Sequence, residues 1–417
     1  MWAPLRNYLR LADACEDLES ITSIDREQEV EPGTVGLSEK GRDAIWSAVE
    51  SLYRTGTQPA ISLCIRKRGS IFLHRAIGYA SGNGPGDLKH EQRQPMRLDT
   101  PVCLFSASKA VTAVLVHKLA EDGLVNLLDP VSYYLPEFAR KGKQTITIHQ
   151  ILAHRGGIPG LPANEPLETL YNPDLIWQLL CDAKPIAVNG GTLAYHAITG
   201  GFVLGRLIEA ITGQTAQDYL DTVLRKPLKM TYFRFGLEER YQHLAARNYA
   251  TGLETPFPLS AIVKRALGGS MTLAAEVSND RRWMSAIVPA GNVYATAEKI
   301  GRMFEMMRDG GKWQRRQVLA PVTVQRATQE YGSLTIDRTM LIPMRYSAGM
   351  MLGADPVGLF GRNTGRAYGH LGLINKFAWA DPEREISVAL LTTGLSLLGH
   401  HLMPLARVIN RINHYCQ

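Results

Sequence analysis

Ser106 and Lys109 put a hydroxyl and an amine three residues apart, in the stretch Leu104-Phe105-Ser106-Ala107-Ser108-Lys109-Ala110-Val111. Residues three apart on a helix lie on one face, so the amine can sit over the hydroxyl. A serine hydroxyl attacks poorly until a base removes its proton, and a lysine whose pKa is lowered by burial can be that base. A serine at a helix start also has backbone N–H groups and the positive end of the helix dipole beside any oxyanion that forms. A capping serine next to a solvated lysine is the plainer reading. Against it, no second Ser-x-x-Lys occurs, and the pair opens a largely apolar stretch. Acyl transfer further needs a proton donor for the leaving group and a second oxyanion donor. Tyr195, in Gly190-Gly191-Thr192-Leu193-Ala194-Tyr195-His196, is one candidate, and His370, in Tyr368-Gly369-His370-Leu371-Gly372, is another. Taken singly, each reads equally as a packed tyrosine or a satisfied core histidine.

These side chains need elements to carry them. Apolar residues at helical spacing predict a helix from Ala107 to Asp122, stopped by Gly123. Residues 38–54 predict an earlier helix. Ile61, Leu63 and Ile65 alternate before a Lys67-Arg68-Gly69 turn and a second strand from Ile71 to Tyr79, which predicts a hairpin. Short helices follow at Ile148–Ala153, Asp174–Cys181, Ala197–Ile211 and from Thr215 to Leu224, with another at Thr296–Asp309. Strand patterns return at Tyr346–Leu352, Asn375–Ala380 and Ile386–Thr392, before a last helix from Leu397 to Tyr415. Strands at both ends with helices between predict an α+β fold. One antiparallel sheet would be shared by residues 38–100 and 340–417, and residues 101–339 would form a mostly helical lobe. Residues 248–290 lack a clear period and read as an insertion that could cover a pocket. Residues 1–37 read as an arm (Trp2, Leu5, Tyr8, Leu9, Leu11) and a polar linker.

Composition narrows the classes. The chain has 417 residues, 45% hydrophobic and 20% charged, with a formal charge of +7. That fits a soluble globular protein with one large core. The basic residues come in short pairs such as Arg281-Arg282, not in a stripe with aromatics, so nucleic-acid binding is not expected. Five scattered cysteines without a Cys-x-x-Cys argue against a disulfide framework or structural zinc and for a reducing, cytoplasmic setting. No secretory signal or membrane-spanning run is present. His149 and His154 do not share a helix face, no His-Glu-x-x-His occurs, and no metal or other cofactor is expected. A Gly-x-Ser-x-Gly elbow and a phosphate loop are also missing.

Taken together and in order, Ser106-Ala-Ser-Lys109, Tyr195 and His370-Leu-Gly372 resemble the serine β-lactamase-like superfamily, nearest to class C β-lactamases and family VIII esterases. Leu152-Ala-His154-Arg-Gly-Gly157, Pro227-Leu-Lys-Met230, Pro289-Ala-Gly291 and Trp379-Ala-Asp381-Pro382 add to it, and the likeness runs from about Pro59 to about Gly394. It implies an antiparallel sheet flanked by helices, a helical lobe, and an active site between them. It further implies that Ser106 becomes acylated, with Lys109 as base or holder of the proton network. Tyr195 would relay the proton, His370 would stand where the family often has lysine, and the N–H groups of Ser106 and Leu373 would form the oxyanion hole. Two departures bear on substrate. His196-Ala197 replaces the x-Asn that follows the family's tyrosine, and His370-Leu371-Gly372 replaces Lys-Thr-Gly, losing a fixed cation and a hydroxyl suited to gripping a carboxylate. The expected activity is hydrolysis of small neutral carboxylic esters. Acyl transfer, β-lactam hydrolysis and D-amino-acid amide or peptide hydrolysis are alternatives on the same machinery, and a non-catalytic binding or assembly protein is the alternative of another class. The partner expected is a small-molecule ester, and a homo-oligomer is compatible with the sequence.

Overall fold

The computed structural model describes residues 8–88, 92–162 and 165–417. Its centre is an antiparallel sheet: β1 (Thr22–Ile24), β2 (Ala60–Lys67), β3 (Ser70–Ser81), β4 (Gln94–Pro95), β5 (Met351–Leu352), β6 (Tyr368–Gly372), β7 (Lys376–Asp381) and β8 (Ile386–Thr392). The order is β1-β3-β2-β8-β7-β6-β5, with β4 added to β3. The early hairpin and the late strands meet where β2 pairs β8, Leu63 opposite Leu390 and Cys64 opposite Ala389. That join brings the two ends of the chain into one sheet, as the α+β expectation required.

The two faces of the sheet differ because side chains alternate along a strand. Ile61, Leu63, Ile65, Ile386, Val388 and Leu390 pack with α1 (Glu39–Tyr53) and α6 (Leu402–Tyr415), through Val49, Leu52, Leu405, Val408 and Ile412. Full burial of each such side chain contributes about 1.5–3 kcal/mol. The opposite face carries small residues: Cys64, Ala76, Ala378, Ala380 and Ala389. Small side chains let α5 (Ala297–Arg308) lie close, so that Gly301 carbonyl accepts from Ser387 Oγ at 3.0 Å. On this same side lies α2 (Ser108–Glu121), whose buried residues include Lys109, Val111, Val114 and Leu115, so it is enclosed on nearly every side rather than amphipathic. Helix α3 (Thr199–Thr212) packs beside it and begins the run expected from Ala197.

Three local expectations change. Residues 20–37 are not a free linker: β1 pairs β3, Leu18 and Ile21 enter the core, and Glu29 accepts from His74 N and clasps Arg75 through two hydrogen bonds of 2.9 Å. The strand there is only three residues, Thr22-Ser23-Ile24, too short to show an alternation, and the docking depends on partners in β3. Tyr346–Leu352 is not one strand, because a turn at Gly349 (φ 118) interrupts it; a Cβ at that glycine would lie 2.2 Å from the Ala113 Cβ of α2. Residues 248–290 contain α4 (Leu259–Leu267) and short helices at Met271–Ser278 and Arg281–Ser285. Ser270 and Asp280 cap the last two by accepting from Leu273 N and Arg282 N. Trp2 and Leu5 of the expected arm lie outside the described residues; Tyr8 is exposed. No helix among the described residues is long and apolar enough to cross a membrane.

Candidate active site

Ser106 sits in a single tight turn, Phe105–Ala107, that leads directly into α2. Phe105 holds a left-handed backbone, φ 47, that costs a non-glycine residue free energy and persists only where its surroundings enforce it. The enforcement is visible on both sides. Gly372, at the end of β6, lies so close that a Cβ there would come within 2.1 Å of the Leu104 carbonyl. The Ser108 hydroxyl accepts from Val293 N at 2.9 Å, which ties the start of α2 to the stretch after Pro289-Ala290-Gly291.

From the second position of α2, Lys109 Nζ lies 3.1 Å from Ser106 Oγ. It also donates to the carbonyls of Ala197 at 2.7 Å and Ala290 at 3.1 Å. Burial lowers its pKa to about 7. A neutral amine has two N–H groups and one lone pair. With both N–H groups taken by carbonyls, the lone pair is left for the serine hydroxyl, which is the geometry of a general base. Behind the amine, a cavity of about 20 Å³ lined by Lys109, Thr112, His154 and His196 has room for one water.

Tyr195 lies before α3, and its ring is 4.8 Å from Lys109 Nζ. Burial raises the phenol's pKa, an effect partly offset by hydrogen bonding with Ser106, so Tyr195 rests as a neutral acid. His370 projects from β6 with its ring centroid 6.4 Å from that of Tyr195. Its Nδ1 is 2.8 Å from the Leu371 carbonyl, which can only accept, so Nδ1 carries the proton. Nε2 is left as a buried lone pair without a partner among the described residues. Burial and the nearby Lys109 push the imidazole pKa down to about 3, so the ring is neutral at ordinary pH. Hydroxyl, amine, phenol and imidazole therefore converge from three separate parts of the chain.

Leu373 follows β6 at φ 39, with Ile374 at φ 71, and this sharp reversal places Leu373 in the wall of the same cavity as Ser106. Asn375 holds the turn through bonds to the carbonyls of Gly394 and Ser396. The cavity measures about 900 Å³ and its wall is largely apolar, with Ile158, Leu161, Leu170, Ile198, Leu273 and Trp283 among its residues. Gly372 and Leu371 shape the strand beside it rather than lining it.

Two residues that hold the site were not singled out from the sequence. Asp337, fully buried, accepts from Tyr195 N at 3.1 Å, Thr339 N at 2.7 Å and Met340 N at 3.0 Å, fixing the Tyr195 backbone from a distant loop. The local turn to Thr339 and Met340 is of a kind that aspartate commonly makes; the bond to Tyr195 has no local signature. His154, noted in a supporting stretch and set aside as a metal ligand, packs its ring at a tilt with its centroid 4.5 Å from that of Tyr195, and accepts from His196 N at 3.1 Å. Among the described residues no cluster of metal-binding side chains occurs.

A family model described as Beta-lactamase matches residues 47–406. A curated relative, "Esterase/beta-lactamase LipL" of Mycobacterium tuberculosis, is 27% identical over 307 residues, covering 71% of this chain and 70% of its own. Among solved structures, a novel penicillin-binding protein homolog from Caulobacter crescentus superposes with a TM-score of 0.77 at 23% identity, covering 91% of this chain and 99% of that one. A family VIII carboxylesterase does so at 0.76 and 23%, covering 92% and 99%.

Proposed function

The chain belongs to the beta-lactamase family, a hydrolase fold, and from that premise we propose that it is a serine esterase working through an acyl-enzyme on Ser106. The observation that carries the reading is the Lys109 amine 3.1 Å from Ser106 Oγ, with its two N–H groups committed to carbonyls. In the proposed cycle Lys109 takes the serine proton as Oγ attacks the ester carbonyl. The oxyanion is met by the N–H groups of Ser106 and Leu373. Tyr195, a resting acid beside both Lys109 and Ser106, passes the proton to the departing alkoxide, and the same relay then activates water for deacylation. Lysine rather than tyrosine is assigned as the first base because burial moves the two in opposite directions: the amine loses its proton near neutrality, the phenol keeps its own.

The ester preference is supported by what surrounds the phenol. His370 is neutral, with a lone pair rather than a charge left over, and Leu371 offers no hydroxyl. A substrate carboxylate next to the scissile bond would find no cation there, and a site rejects strongly what it leaves unpaired. A neutral ester incurs no such cost. The relative named Esterase/beta-lactamase LipL is consistent with that class, and equally with β-lactam hydrolysis.

Wild type should release nitrophenol from 4-nitrophenyl butyrate, and mass spectrometry of a rapidly quenched, proteolysed sample should show an added butyryl group on the Ser106 peptide. Ser106→Ala should show neither. Wild-type protein that hydrolyses nitrocefin far faster than any ester would turn the assignment toward β-lactams. Protein that turns over neither and captures no fluorophosphonate probe would leave a binding role.

A further inference from the structure

The cavity that holds Ser106 is apolar in its interior and cationic at its opening. Lys184, Lys264, Arg265 and Arg338 all line it and all are exposed, whereas Glu165 is the one carboxylate among the described lining residues. None of the four cations forms an ion pair or side-chain hydrogen bond with another described residue. Elsewhere on this protein surface cations are commonly matched: Arg68 with Glu385, Arg234 with Glu238, Arg282 with Asp280. The four come from three separate stretches, the segment after Asp182, helix α4 and the loop at Asp337, and all line this one cavity from exposed positions. Like charges brought together repel unless something negative joins them. At the catalytic end the situation is reversed, since the imidazole of His370 is neutral and Lys109 loses its charge near neutrality.

We propose that the substrate is an amphipathic ester: an apolar chain filling the cavity from the scissile bond outward, ending in an anion, a carboxylate or phosphate, held by Lys184, Lys264, Arg265 and Arg338 at the mouth. The proposal rests on the esterase reading and adds the charge of the substrate's far end to it. A cavity of about 900 Å³ is at the upper end of small-ligand sites and is far larger than a short ester fills. Neutrality beside the reacting carbonyl and attraction at the rim then select the same molecule from two ends. Each exposed contact is weak, but several cations acting on one anion add up to about tenfold in kcat/KM, and salt screens the effect.

The test compares matched ester pairs. Mono-4-nitrophenyl suberate against 4-nitrophenyl octanoate places the anion on the acyl side. 8-Acetoxyoctanoate against octyl acetate, followed by pH-stat, places it at the far end of the leaving-group side. One of the two pairs should favour the anionic ester by about tenfold in kcat/KM at low salt. That ratio should fall to near one in 0.5 M sodium chloride and fall below one in Lys264→Glu/Arg265→Glu. The ratio is internal to each protein, so partial misfolding of the variant lowers both rates and leaves it unchanged. A wild type that hydrolyses the neutral esters through Ser106 with no anionic preference in either pair overturns this inference alone. So does a preference indifferent to both salt and the charge reversal. A wild type that cleaves none of the four overturns the esterase reading and this inference with it.

Discussion

Two buried lysines flank the Phe105-Ser106 step, and burial lowers both to about pKa 7. Lys109 enters from α2. Lys376 enters from the first position of β7, its amine 4.9 Å from the Phe105 ring and 3.1 Å from Asn248 Oδ1. Neither has a carboxylate partner among the described residues. Desolvation alone therefore cannot say which of them does chemistry. What separates them is the proton each could exchange. Lys109 faces a hydroxyl, which has a proton to give. Lys376 faces an amide oxygen, which has none, so its contact can only be a donation from nitrogen. A perturbed pKa marks a candidate, and the identity of the nearest hydrogen-bond partner decides the role.

The sharpest way to break the comparison is to remove each amine in turn. Lys109→Ala should slow acylation of Ser106 by about 10³-fold, within the range a positioned base supplies, while circular dichroism shows a folded protein. Lys376→Met should cost less than about tenfold, because the amine supports Phe105 without touching the reacting atoms. Stopped-flow release of nitrophenol, or the labelling rate with a fluorophosphonate, reads both. Equal losses would dissolve the distinction and make Lys376 a second participant in proton transfer.

The pH profile sharpens it further. With Lys109 neutral above about 7, kcat/KM should rise about tenfold per pH unit below that value and flatten above it. His370, already neutral down to about pH 3, should add no limb between 5 and 9. His370→Asn should therefore leave the ascending limb at or slightly above its wild-type midpoint, even if the plateau drops. Loss of the limb in that variant would assign the titration to the imidazole instead.

How far the sequence reaches is also clearest at this pair. Ser106 and Lys109 are legible because their relation is local: three residues on a helix fix it before any tertiary contact forms. Tyr195 and His370 are legible only beside Ser106-x-x-Lys109, as an ordered set, since each alone is an ordinary core residue. The hairpin, α1 and the strands β7 and β8 follow from hydrophobic period, whereas the period at 346–352 overruns a turn at Gly349. Lys376 carries no such signal, because a lysine at the head of an apolar strand does not by itself reveal burial; its burial comes from Phe105, Asn248 and the approach of Gly372 to Leu104, none near it in sequence except the glycine. Asp337 is hidden for the same reason, bonding Tyr195 across 142 residues. The helices of 248–290 were obscured by mixed composition, although the caps at Ser270 and Asp280 were there to be read.

The smallest effect separates the lysines by stability rather than rate. In the folded protein Lys376 titrates near 7 against an ordinary value of 10.5, so between those limits the unfolded chain binds a proton that the native one does not. Stability then rises with pH across that window, and the contribution is constant below about 7, where both states are protonated. Lys376→Met removes this single-proton dependence. The variant will lose the bond to Asn248 Oδ1 and gain a side chain that needs no desolvation of charge; both are independent of pH and cancel in a comparison across pH. Urea denaturation of wild type and variant at pH 7.5, 8.5 and 9.5 should therefore show a stability difference that shifts in favour of wild type by about 1.4 kcal/mol per pH unit. A constant difference would mean that Lys376 keeps its ordinary basicity in the folded state. Phe105 would then be gripped by a full cation, and the two lysines would differ in charge as well as in partner.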